Sequence, residues 1–135
     1  MAHGADAAGG LRSLVIAARG AAAARGHRAA LVLAGSPDWT LHAATAATRG
    51  FPGRGLWLSD RPLPCARLPL HAAARLLGEE LDTLVYDAWG GFDPDALGAA
   101  VGALRAGGLL LLLAPPGDRW QRPSDRLAGR IAVAP

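Results

Sequence analysis

Lysine is absent from this 135-residue chain, and all 14 basic residues are arginine. That absence excludes a P-loop lysine, a Schiff-base lysine and any catalytic lysine here. The single cysteine, Cys65, rules out an internal disulfide framework and a cysteine-based zinc site, and it fits a reducing cytoplasm. Aromatic residues make up only 5% of the chain, so alanine, leucine and glycine must fill the core. No apolar run reaches the roughly 18 residues of a membrane span. Arg19 and Arg25 interrupt the Leu14–Ala18 stretch that could imitate a signal core. Neither G-x-G-x-x-G nor G-x-x-x-x-G-K-[ST] occurs at a strand end, and there is no G-x-S-x-G elbow. His3, His27, His42 and His71 are scattered without metal-ligand spacing, so no metal site is expected.

The net charge of +3 is unevenly distributed. Arg12, Arg19, Arg25 and Arg28 face only Asp6 in the first 37 residues. Arg119, Arg122, Arg126 and Arg130 outnumber Asp118 and Asp125 at the other end. Basic ends around an acidic middle are compatible with an anionic partner such as RNA, but ordinary solvated surface charge explains them more simply.

The most legible stretch is Leu81–Pro116, LDTLVYDAWGGFDPDALGAAVGALRAGGLLLLLAPP. Two apolar runs, Leu84–Asp87 and Leu109–Ala114, do not alternate in polarity, which predicts strands buried on both faces. Between them lies a helix with clear limits: Asp93 as cap, Pro94 in first position, Asp95 at the positive dipole end, Gly107–Gly108 as stop. Its inward stripe is expected at Leu97, Val101 and Leu104, with Gly98 and Gly102 allowing a close approach to the sheet.

Upstream, residues 1–10 read as a disordered N-terminus. A helix follows from Leu11 to about Arg25, turning Leu11, Leu14, Val15, Ala18 and Ala22 inward and Arg12 and Arg19 outward. Ala29–Ala34 reads as the first buried strand. Ser36, Pro37 and Asp38 open a helix reaching about Arg49. Gly55–Ser59 is the second strand, Arg61–Pro69 an irregular stretch with three prolines, Leu70–Leu77 a short helix, and Leu81–Asp87 the third strand. Leu109–Ala114 is the fourth. The alternation predicts a Rossmann-like, three-layer α/β domain over residues 11–116, with a mainly parallel sheet of four strands. A fifth is expected if Arg130–Val133 forms a short terminal strand within the polar, basic tail of residues 117–135.

In an open parallel sheet, ligands bind beyond the carboxyl ends of the strands. Those ends present Asp38, Asp60 with Arg61, Asp87 and Trp89. Asp87 is the most interesting, because an acid after an apolar strand can hold a metal-bound phosphate or a ribose, although a bond to neighbouring backbone explains it as well. Trp120, among Arg119, Gln121 and Arg122, is the best candidate for stacking on RNA. No residue is assigned a catalytic role.

The segments LVLAGSPDW, LWLSD and RLLGEELDTLVYDAWGGFDPDALGAAVGALRAGGLLLLLAPP, with the later Trp120, resemble in order and spacing the N-terminal domain of bacterial tRNA(Met) cytidine acetyltransferase. The resemblance covers about Gly26 to Trp120; Gly35, Trp39, Trp57, Gly78, Glu80, Asp87, Gly91, Phe92, Asp93 and Gly107 fall together in it. It implies membership of an enzyme family that acetylates N4 of the wobble cytidine with acetyl-CoA and ATP. The ATPase and acetyltransferase segments of that family are not found in this chain. The expectation is therefore an accessory, truncated, cytoplasmic domain, inert alone, with no cofactor of its own. Its expected partners are tRNA and the missing segments, not a membrane. A second likeness points elsewhere. Leu104-Arg-Ala-Gly-Gly-Leu-Leu-Leu resembles the late strand entry of class I methyltransferases, which implies a degenerate small-molecule-binding domain, but their glycine-rich first loop is missing.

Overall fold

Ser36 and Asp93 start two of the helices in the manner their neighbours predict. In the computed structural model, which describes residues 2–63, 67–89 and 91–117, the Ser36 hydroxyl accepts from the Trp39 N–H at 3.1 Å. Asp93 Oδ1 accepts from the N–H groups of Asp95 and Ala96 at 2.9 and 3.3 Å. Each helix then has a proline in its first turn, where no N–H is needed.

The elements run α1 (Ala2–Ala24), β1 (Ala29–Ala34), α2 (Pro37–Thr48), β2 (Gly55–Leu58), β3 (Arg67–Leu68), a 3-10 helix (Leu70–Leu76), β4 (Leu81–Asp87), α3 (Pro94–Ala103) and β5 (Leu104–Ala114). Five strands form one sheet in the order β1-β5-β4-β2-β3. Every pairing is parallel. The domain is thus a three-layer, Rossmann-like α/β fold. On one face, α1 and α2 bury Val15, Ala22, Ala43, Ala44 and Ala47 against Leu109, Leu111, Leu113 and Val85. On the other, α3 and the 3-10 helix bury Ala96, Ala100, Ala103 and Leu76 against Leu84, Tyr86 and Leu110. The continuous apolar runs of β4 and β5 are therefore covered on both sides, each buried leucine contributing about 2 kcal/mol.

Several details depart from the pattern in the sequence. The first helix begins at Ala2 rather than Leu11, taking in residues expected to be disordered; an alanine-rich run propagates a helix readily. On α1, Val15 and Ala22 are buried and Leu11 and Ala18 half-buried, but Leu14 is 54% exposed. Neighbouring residues on a helix point about 100° apart, so Leu14 cannot share the direction of Val15. The buried stripe of α3 is Ala96, Ala100 and Ala103; of the three residues expected inward, Leu104 is buried just past the helix end, Leu97 is half-buried and Val101 is not buried. Small alanines let this helix settle on the sheet, Val101 is left 39% exposed, and open space surrounds Gly98 and Gly102.

The same helix ends at Ala103, ahead of the glycines, because Leu104 already begins β5. Between Leu81↔Leu104 and Thr83↔Leu109, two steps along β4 meet five along β5. Gly107 makes that bulge possible, with φ of +80 and an N–H donating to the His27 carbonyl at 2.7 Å. The fifth strand is the short β3, paired to Trp57 and Leu58 inside the proline-rich stretch read as irregular; an edge position tolerates prolines on either side. Arg130–Val133 lies outside the described residues. Finally, β1 is an edge strand covered on one face only, so the expectation of a buried first strand holds for Ala29 and Leu33 but not for Val32.

Tyr86 fastens α3 to the sheet. Its buried hydroxyl donates to the Asp93 carbonyl at 3.1 Å and accepts from the Asp93 N–H at 3.0 Å. Burial pushes its phenol above the ordinary 10.0. A phenol harder to ionise when folded contributes stability that is intact below pH 10 and lost as pH rises through its folded value. Tyr86→Phe should cost about 1 kcal/mol in urea unfolding, and the wild-type loss of stability above pH 10 should be shallower in that variant. Equal alkaline slopes would show that Tyr86 is not the group responsible.

Candidate functional site

The carboxyl ends of β2 and β4 meet the start of α2, and there the chain buries a charge. Asp87 is only 1% exposed, and its carboxylate receives four donors. Ser59 Oγ donates to Oδ2 at 2.7 Å and Arg61 Nε to the same oxygen at 2.6 Å. Arg61 Nη2 donates to Oδ1 at 2.9 Å and the Trp89 N–H at 3.1 Å. Four donors occupy about all the lone-pair directions a carboxylate has, and the Arg61 contact is the two-pronged kind that guanidinium planarity favours.

The cluster ties more than two residues together. Ser59 Oγ also accepts from the Arg61 N–H at 3.0 Å. Arg61 Nη1 reaches across to the Pro37 carbonyl in the first turn of α2 at 3.2 Å. Arg67 Nη1 donates to the Ser59 carbonyl at 2.9 Å, and the Ser59 N–H pairs with Leu68 at 2.9 Å. One side chain, Arg61, therefore links β4, the end of β2 and α2. Beside this cluster the Trp39 ring folds back over the turn against Gly35, where a Cβ would come within 2.7 Å of it and force the exposed indole to shift.

Of the four residues expected at the ligand end, Asp87 and Trp89 meet in this cluster. Asp60 is turned away to a structural task, its Oδ1 accepting from the Leu70 N–H at 2.9 Å at the start of the 3-10 helix. Asp38 stands exposed in the first turn of α2, where its charge suits the helix dipole. Ser59 was not assigned from the sequence, and Arg61, named beside Asp60, was not joined to Asp87. A serine closing an apolar strand, with an arginine two residues on, was the available signal. The arrangement holds a carboxylate oriented by its own chain, and among the described residues no three histidines, cysteines or acids gather as a metal site. Arg119, Trp120 and Arg122 lie outside the described residues, as does Cys65.

A second polar feature lies on the α1 side of the sheet. Arg12 Nη1 donates to the carbonyls of Ala46, Ala47 and Arg49 at 3.2, 3.4 and 2.8 Å, closing the C-terminal end of α2. Its guanidinium carbon also stands 5.2 Å from the centre of the Phe51 ring, and that of Arg19 4.5 Å from it.

Comparison with known proteins bears on all of this. A family model described as the N-terminal part of tRNA(Met) cytidine acetyltransferase TmcA matches residues 6–135. A tRNA(Met) cytidine acetyltransferase of Nitrosococcus halophilus is 43% identical over 129 residues, which is 93% of this chain and 17% of that protein. One from Salmonella typhimurium is 40% identical over 101 residues, covering 74% of this chain and 15% of the relative. One from the archaeon Haloarcula marismortui is 37% identical over 120 residues, 80% of this chain and 14% of the relative. The chain thus spans about a sixth of the length of these curated relatives. The match extends beyond the Gly26–Trp120 stretch that carried the resemblance, and it decides against the methyltransferase likeness.

Arg61→Ala should cost about 3 kcal/mol in urea unfolding, because it strands a buried anion. Asp87→Asn should cost less, since Arg61 is already 22% exposed and can turn to water. A cost for Asp87→Asn equal to or above that of Arg61→Ala would mean that desolvation of Asp87 is not what the pair relieves.

Proposed function

The chain belongs to the N-terminal family of tRNA(Met) cytidine acetyltransferase TmcA, and we propose that within such a protein it is an accessory domain, making contacts rather than performing chemistry. One observation carries this reading. Ala30, Val32 and Ala34 of β1 point to the face that α3 covers elsewhere, and there they are exposed, Val32 by 60%. They continue the apolar surface of their register partners Leu110, Leu112 and Ala114. Parallel strands are normally covered on both faces, and an uncovered apolar strip rimmed by polar surface marks a contact site.

The occupant that fits is the remainder of a TmcA-type protein, the ATPase and acetyltransferase segments implied by the resemblance, since relatives are about six times longer than the stretch matched here. The Asp87–Arg61 cluster supports the same view. Its groups are engaged with one another, an arrangement that stabilises the sheet end and leaves no lone pair of the carboxylate for a reacting ligand. No described helix is long and apolar enough to cross a membrane.

The experiment is a binding titration against a TmcA polypeptide lacking its own N-terminal domain. Wild-type chain should bind saturably. Val32→Glu should weaken binding at least tenfold while leaving the chain's own stability within about 0.5 kcal/mol, as expected for an exposed site. Equal binding by both would remove the β1 face as the contact. Acetylation of tRNA by this chain alone, supplied with acetyl-CoA and ATP, would overturn the accessory role itself.

A further inference from the structure

Three of the described arginines are paired with carboxylates, and of the others two converge on one aromatic ring. At the amino end of the sheet Arg54 pairs with Glu79 at 2.6 Å and Arg105 with Asp82 at 3.5 Å; at the carboxyl end Arg61 pairs with Asp87. The groove between α1 and the α2–β2 turn is different. It has a volume of about 470 Å³, and its lining includes Arg12, Ile16, Arg19, Phe51 and Gly107 but no acid. Arg12 is committed to the carbonyl end of α2, where the helix dipole offsets part of its charge. Arg19 is not. Its guanidinium lies over the Phe51 ring, and no carboxylate of a described residue is within ion-pair distance.

Two guanidinium groups held to one ring repel each other, and nothing anionic in the groove relieves them. The ring orients the Arg19 plane without using its N–H donors, which leaves the two-pronged edge free for an oxyanion. Exposed Ile16 and half-buried Phe51 supply an apolar floor alongside. A site with planar donors, surplus positive charge and an apolar floor suits a phosphate carried on a sugar and base. We infer that this groove binds a phosphate of an RNA chain, with Arg19 making the direct contact and Arg12 the fixed charge behind it. The groove lies on the α1 face of the sheet, opposite the uncovered strip of β1. RNA and the remainder of a TmcA-type protein can therefore be held together, and failure of one reading leaves the other intact.

The test is tRNA(Met) binding by the full chain, followed by fluorescence anisotropy between 50 and 200 mM salt. Arg19→Gln should weaken binding about five- to tenfold and lower the log–log salt slope by roughly one. Arg19→Lys should recover the slope but only part of the affinity. Arg75→Gln, at a more exposed arginine on the 3-10 helix of the opposite face, should change neither. Millimolar inorganic phosphate should displace no more tRNA than chloride of equal ionic strength. Equal effects of the Arg19 and Arg75 variants would overturn the inference, as would saturable phosphate binding at Arg19 with tRNA affinity unaffected by its loss. Loss of binding confined to an Arg119→Gln, Arg122→Gln variant would overturn it too, placing RNA on the tail. Unchanged melting temperatures confirm that each variant is folded.

Discussion

A carboxylate with 1% of its surface in water needs a cation and donors close by, and at the end of the central strand Asp87 has both. The requirement shapes the whole carboxyl edge. It fixes where the chain must go after β2, because Arg61 has to arrive beside Asp87. It also holds the first turn of α2, because the same guanidinium continues to the Pro37 carbonyl. Ser59 closes the arrangement by accepting from one residue and donating to the other. In many parallel sheets this edge is where a ligand sits; here its strongest polar groups are occupied by one another.

With that edge closed, the surfaces left for contact lie on the two faces of the sheet. The side carrying α1 and α2 is covered by helices over β1 and β5 and holds Arg12 and Arg19 in the groove over Phe51. The side carrying α3 and the 3-10 helix is covered over β5, β4 and β2, but β1 leaves an apolar strip open. One face is thus suited to an anionic chain and the other to an apolar protein surface. Such a division fits a domain whose relatives span a much longer protein.

The crossover unit from β4 to β5 was readable because each signal in it is local. A cap, a following proline and two unbroken apolar runs act within a few residues, and they specify strand, helix and parallel strand without reference to the rest of the chain. Which stripe of each helix faces inward was less readable. Leucine or alanine could serve on α3, and the sheet took Ala96, Ala100 and Ala103 because a narrow gap favours small side chains. The pairing of Arg67–Leu68 could not be seen either, since two residues carry no periodicity. Asp87 was recognisable as a strand-end acid, whereas its partner Arg61 stands 26 positions earlier and no local rule joins them.

The types and order of the longer elements and the parallel class of the sheet were thus present in the linear pattern, because propensity, capping and strand burial are short-range effects; the family was present as a resemblance of whole segments. Strand order, the bare flank of β1, the capture of Asp87 by Arg61 and the meeting of Arg12 and Arg19 on Phe51 were not. Each depends on residues far apart in the chain being brought within a few ångströms, and that proximity exists only once the layers have closed on one another.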